Sequence, residues 1–159
     1  YHSYVMKNFM HDLEGNELGP HDYLSRYESF LNLDEYYKFG VMREPANYCH
    51  SNYFEWPESY TSPTYSEFIT SEEFKSKIDP QLPHFYNSKG EIQMDKIFKF
   101  ENLNEAFNTI SDLFKVYDIP TQHSQNKNPN IYIQNPNLQE YKDTINQYFN
   151  QDYEYWKSL

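Results

Sequence analysis

The stretch Tyr36-Tyr37-Lys38-Phe39-Gly40-Val41-Met42-Arg43-Glu44-Pro45 decides the fold. Its first seven residues are mostly apolar and carry no helix cap. That predicts a short buried strand of the kind found inside a parallel sheet. Arg43-Glu44-Pro45 ends it. Proline suits the first turn of a helix, where its missing N–H costs nothing, so Ala46–Trp56 is expected to continue as one. A strand followed by a helix puts Arg43 just past a strand's carboxyl end, where open α/β sheets bind ligands. The start of a helix offers unpaired N–H groups and a partial positive charge. An Arg there adds a planar fork matched to phosphate oxygens. Ser51 follows eight residues after Arg43, about two helical turns along, and is placed to share the same anion. The competing reading pairs Arg43 with a nearby carboxylate and leaves Ser51 without a task.

Outward from this unit, helical and strand-like patterns alternate. Upstream, Tyr1–Leu13 reads as a helix with Val5, Phe9, Met10 and Leu13 on one side, and Glu14–Pro20 as a loop. Asp22 is placed to cap a helix bearing Tyr23, Leu24, Tyr27, Phe30 and Leu31. Downstream, Pro57–Pro63 is a loop, and Thr64-x-x-Glu67 is a capping box opening one helix through Phe68, Ile69, Phe74 and Ile78. Leu82–Tyr86, Asn87-Ser88-Lys89-Gly90 and Glu91–Phe100 read as strand, turn and strand. Asn102 or Asn104 caps a helix carrying Leu103, Phe107, Ile110, Leu113 and Phe114. A polar, Asn-rich run over Thr121–Asn137 precedes a last helix with Leu138, Tyr141, Ile145, Tyr148 and Phe149, then an aromatic tail from Asp152 to Leu159. The expected class is α/β with a parallel sheet. The strands are too few for a complete parallel sheet and the chain begins with Tyr1, so a front strand and loop are expected to be missing.

Composition narrows the function. The 159 residues are 38% hydrophobic and 19% aromatic, enough large side chains to build the core of one domain spanning 1–159. A net charge of −11 argues against nucleic acid and against an anionic membrane surface as partners. There is no transmembrane-length apolar run, no signal peptide and no Asn-x-Ser/Thr acceptor. Cys49 is the only cysteine, so there is no internal disulfide. These features fit a cytoplasmic protein. No His-x-x-x-His or Glu-x-x-His pair exists, and no metal is expected.

The run from Tyr37 through Pro45 to Ser51-Asn52-Tyr53 resembles the signature of the membrane-associated and bacterial carbohydrate sulfotransferases. Their pattern is aromatic-Lys-Phe-x-x-x-Arg-Asn-Pro, then Ser eight residues after the Arg. A second block, Gln81, Gly90, Asp95 and Lys99-Phe100-Glu101-Asn102-Leu103, resembles the family's Gln…Gly…Asp-x-x-x-Arg-Phe-Glu-Asn-Leu. A third, weaker block runs from Ile119-Pro120 to the Tyr-rich end near Asp152. The resemblance implies a P-loop-nucleotide-kinase-like sulfotransferase fold and sulfuryl transfer from 3′-phosphoadenosine 5′-phosphosulfate (PAPS) to a carbohydrate or small hydroxylated acceptor, leaving PAP. Arg43 and Ser51 correspond to the residues that hold the donor's 3′-phosphate. His2, in Tyr1-His2-Ser3, corresponds to a position where relatives often carry a histidine and is the expected base.

Three departures stand out. Glu44 replaces the family's Asn beside the phosphate site and must point away or weaken it. Lys99 replaces an Arg, keeping charge without the fork. The loop that wraps the 5′-phosphosulfate has no counterpart among Gly15, Gly19, Gly40 and Gly90, so the 159 residues alone are expected to show little turnover. Other residues have two readings each. Glu101 orients a loop or acts in catalysis. The aromatic run Tyr53–Tyr65 with Trp56 stacks on a sugar or adenine, or covers the sheet edge. Lys38 lends charge to the site or faces solvent. His50 is a packing or rim residue, and Cys49 a small buried apolar one. Two alternatives to the enzyme remain: a non-catalytic glycan- or protein-binding module on the same fold, and a kinase-like phosphoryl transferase, which lacks its Gly-x-x-x-x-Gly-Lys-Ser/Thr loop.

Overall fold

The computed structural model describes residues 23–28, 31–55, 57–62, 64–115 and 138–159. The readings for Tyr1–Leu13, the loop after it, Asp22, Phe30, Trp56 and 121–137 lie outside these residues. The described elements are α1 (Leu24–Tyr27), β1 (Phe39–Met42), α2 (Pro45–Glu55), α3 (Tyr65–Thr70), α4 (Glu72–Lys77), β2 (Lys96–Lys99), α5 (Leu103–Phe114), α6 (Leu138–Tyr148) and α7 (Asn150–Ser158). The class is α/β, mostly helical, with β1 and β2 paired in a two-stranded parallel sheet. Contacts divide the chain into two compact units, one of Tyr1–Gly40 with Pro80–Ile97 and one of Val41–Asp79 with Phe98–Leu159.

The register of the sheet is a constant offset of 57 residues. At its start Lys38 N–H donates to Asp95 Oδ2 at 2.6 Å, across that separation. The Lys38 carbonyl accepts from the N–H groups of Asp95 and Lys96 at 2.8 and 3.2 Å. Its ammonium reaches the Leu33 carbonyl at 3.0 Å and Asp95 Oδ2 at 3.3 Å. Lys38 therefore pins the amino ends of the two strands, and its charge is spent there. Those bonds hold the Asp95 carboxyl below its ordinary range, the Lys38 backbone N–H being the main cause. Beside the clamp, Gly40 leaves no room for a side chain: a Cβ there would lie 2.6 Å from the Phe85 ring. Expected as a fully buried strand, β1 is covered on one side only. Met42 is buried, but Phe39 and Val41 are exposed.

Around β2 the expected hairpin shrinks. Leu82–Phe85 forms a 3-10 turn with Pro83 in its first positions, and a single antiparallel bridge joins Tyr86 to Ile92. Proline fixes φ for a helical turn and withholds the N–H a strand needs. The turn itself is as the sequence predicts. Asn87 Oδ1 accepts from Lys89 and Glu91 N–H, both at 2.9 Å, and Gly90 takes φ 79°, which glycine adopts without strain.

The second unit has a helical core. Cys49 and Tyr53 from α2, Phe68 from α3, Phe74 from α4, Ile145 from α6 and Phe149 pack together and are buried. The single helix expected over Thr64–Ile78 is two, because Ser71 ends one and caps the next. Its Oγ donates to the Phe68 carbonyl at 2.6 Å and accepts from Phe74 N–H at 3.3 Å. Thr64 caps α3 as expected, with Glu67 N–H on Thr64 Oγ1 at 3.2 Å; the Glu67 carboxylate accepts from the Thr64 hydroxyl at 2.6 Å rather than from its N–H, so the box forms by half. The tail expected after Asp152 is the helix α7, with Asp152 buried in it.

Candidate functional site

The site grows from the sheet register. The same offset of 57 residues that pairs Lys38 with Asp95 continues past the carboxyl ends of both strands. It sets Arg43 beside Phe100 and Glu44 beside Glu101. The Arg43 guanidinium lies over the Phe100 ring, 4.1 Å from its centroid, a cation held against the negative face of an aromatic ring. One residue on, Glu44 N–H donates to Glu101 Oε1 at 3.0 Å, again across 57 residues. Both pairs belong to the second unit.

Glu44, which replaces the family's Asn, has its carboxylate engaged by neighbours within the fold. It is buried, with Oε1 paired to the Lys142 ammonium of α6 at 2.8 Å and Oε2 accepting from Asn47 Nδ2 at 2.9 Å. Its charge is met inside the fold.

The start of α2 is not the open anion site that its sequence predicts. Glu44 N–H is taken by Glu101, Pro45 has no N–H, and Ala46 N–H donates to Asn146 Oδ1 at 3.2 Å. Glu101, in the turn after β2, and Asn146 of α6 accept from these N–H groups as an anion would. The positive charge at this end of the sheet is the half-buried Arg43 guanidinium.

Ser51 is half-buried on α2 and donates its hydroxyl to Glu55 Oε1 at 2.8 Å, one turn along. His50 lies one residue before it, about 100° around the helix. The His50 ring is buried, packed on Phe54 at 4.4 Å and Tyr65 at 5.2 Å between centroids. Burial first, and the Arg43 guanidinium second, push its pKa down to about 4. His50 is thus a neutral packing imidazole at pH 7, and Arg43 is near enough to bias it. Burial likewise pushes the Cys49 thiol up, with the Asp152 carboxylate adding to it, so Cys49 is a small core residue.

Glu101 is the residue whose use the sequence left open. Oε1 also accepts from Asn47 Nδ2 at 3.3 Å, and Oε2 accepts from the Trp156 indole N–H at 3.1 Å. The Lys99 ammonium sits over the same indole, 4.5 Å from its centroid. Trp156 and Lys142 are contributions that motif reading did not single out. Their signal was weak: one tryptophan in a tail, one lysine on an amphipathic helix.

Of the aromatic run Tyr53–Tyr65, Tyr53 belongs to the core, Tyr60 and Tyr65 pack half-buried against it, and Phe54 is exposed. Tyr53 is buried with its hydroxyl on the Ser62 carbonyl at 2.8 Å, and Tyr60 stacks on it at 5.4 Å. His2 lies outside the described residues. Among the described residues, no group of three His, Cys, Asp or Glu side chains is arranged to hold a metal, and no helix is long and apolar enough to cross a membrane. Comparison with protein-family models, with curated proteins and with solved structures finds no match.

Proposed function

We propose that this protein is a PAPS-dependent sulfotransferase acting on a carbohydrate or small hydroxylated acceptor, with Arg43 and Ser51 holding the donor's 3′-phosphate. The observation that carries it is the position of Arg43. It stands at the joined carboxyl ends of two parallel strands, on an aromatic shelf, with the neighbouring Glu44 neutralised by Lys142. Ligands of parallel α/β sheets bind at this end. The carbohydrate sulfotransferase resemblance supplies the identity of the anion. The bound donor supplies an activated sulfuryl group. The acceptor oxygen forms the new S–O bond as the bond to the 5′-phosphate breaks, and a base takes the hydroxyl proton. His2 is the proposed base. Arg43 grips the phosphate on the leaving PAP portion, and Ser51 exchanges its Glu55 partner for that phosphate.

The test is binding of PAP, by thermal shift and calorimetry. PAP is expected to stabilise the protein, and Arg43→Ala to weaken binding by about 10- to 150-fold, as befits a charge-assisted or bidentate contact. Ser51→Ala should cost about 2- to 10-fold. In protein that shows turnover, His2→Ala is expected to lower kcat by roughly 100-fold or more. A second reading, the non-catalytic binding module, is favoured by the carboxylate of Glu101 already seated at the start of α2. Absence of any PAP response, with glycan binding retained, would select it.

A further inference from the structure

We propose that Glu101 is a positioning residue for Arg43. By anchoring on the backbone N–H of Glu44, it holds Phe100 under the guanidinium and so sets the direction in which Arg43 meets an anion. The argument is geometric. Arg43-Glu44 and Phe100-Glu101 are two dipeptides side by side beyond paired strands. The ring–guanidinium contact at 4.1 Å and the N–H to carboxylate bond at 3.0 Å tie them together. The first is soft and only weakly directional. The second is a directional, charge-assisted hydrogen bond, so it sets the alignment of the pair.

Glu101 is itself held on its far side. Its other oxygen takes the Trp156 indole N–H at 3.1 Å, and Asn47 adds a bond at 3.3 Å. Three donors fix one carboxylate: Glu44 N–H just ahead of α2, Asn47 on α2 and Trp156 on α7. A carboxylate at the start of a helix is also favoured by the helix dipole. The role in anion binding rests on the proposed function. The role in orienting Arg43 does not.

The experiment compares Glu101→Ala, Glu101→Asp and Glu101→Gln in the full chain by two readouts. One is PAP affinity, measured well below each variant's Tm. The other is the NMR signal of the Arg43 Nε–H, which the Phe100 ring current displaces in the wild type. Ala removes the anchor, and Asp, one methylene shorter, withdraws it. Both are expected to weaken PAP binding by about tenfold, the scale of one charge-assisted hydrogen bond, and to move the Arg43 signal. Gln keeps an oxygen for Glu44 N–H and is expected to retain most of both. Should the Ala variant not fold, Asp against Gln carries the comparison. A merely structural role would lower Tm and leave both readouts of the folded protein unchanged, and that result overturns the proposal. If the wild type ignores PAP while the Arg43 signal moves in Ala or Asp, the sulfotransferase reading fails and the positioning role stands.

Discussion

Glu44 shows how one residue's environment decides its meaning. A carboxylate beside an anion site would repel the ligand at short range. Here it is buried and satisfied by the Lys142 ammonium at 2.8 Å and by Asn47 at 2.9 Å. Lys142 is more than a third exposed, so the pair is partly screened, and its cost of loss comes from the acceptor left behind. Lys142→Ala is expected to destabilise the fold by about 1–3 kcal/mol, the cost of a buried acceptor without its partner. Adding Glu44→Gln should recover much of that. Urea unfolding of the two variants checks it, and equal midpoints for wild type and Lys142→Ala would refute it. The sequence alone could flag Glu44 as a departure but could not say which cation answers it. Lys142 lies on another helix, and nothing in local spacing connects the two.

At the scale of elements, legibility followed locality. The Thr64 cap, the Asn87–Gly90 turn and the Arg43-Glu44-Pro45 strand-to-helix switch were readable because each is settled within a few residues. The misreadings had rival local signals. Ser71 is a cap hidden inside an apolar periodicity, and Pro83 turned an expected strand into a 3-10 turn. The filled start of α2 was illegible because Glu101 and Asn146 come from distant elements. Two titrations belong to this scale. Burial and Arg43 hold His50 down at about 4, and bonds from Ser62 and Thr61 hold Glu73 down at about 2, bracing the loop ahead of α3. In both cases the unfolded chain binds its proton at higher pH than the folded one, so acid favours unfolding. The His50 contribution is whole above its unfolded pKa of about 6.5 and is lost as pH falls towards 4. The Glu73 contribution is whole above its ordinary value of about 4.5 and is lost as pH falls towards 2. Stability against urea is expected to fall in these two windows. His50→Gln should flatten the upper one and Glu73→Gln the lower. An acid limb unchanged by both would contradict the assignment.

For the molecule as a whole, the charge of −11 constrains any acceptor of the proposed transfer. A polyanionic glycan would meet a repulsive field. At physiological ionic strength the protein is expected to pass through immobilised heparin without retention, and salt-sensitive capture there would reverse that expectation. The register of 57 residues has a consequence for how such a chain tolerates change. A residue inserted into a loop between the two strands lengthens a connection at small entropic cost. The same insertion within Phe39–Met42 or Lys96–Lys99 turns the remaining side chains of that strand to the opposite face, and carries Arg43 off its ring in a single step. Length is negotiable between these strands and fixed inside them.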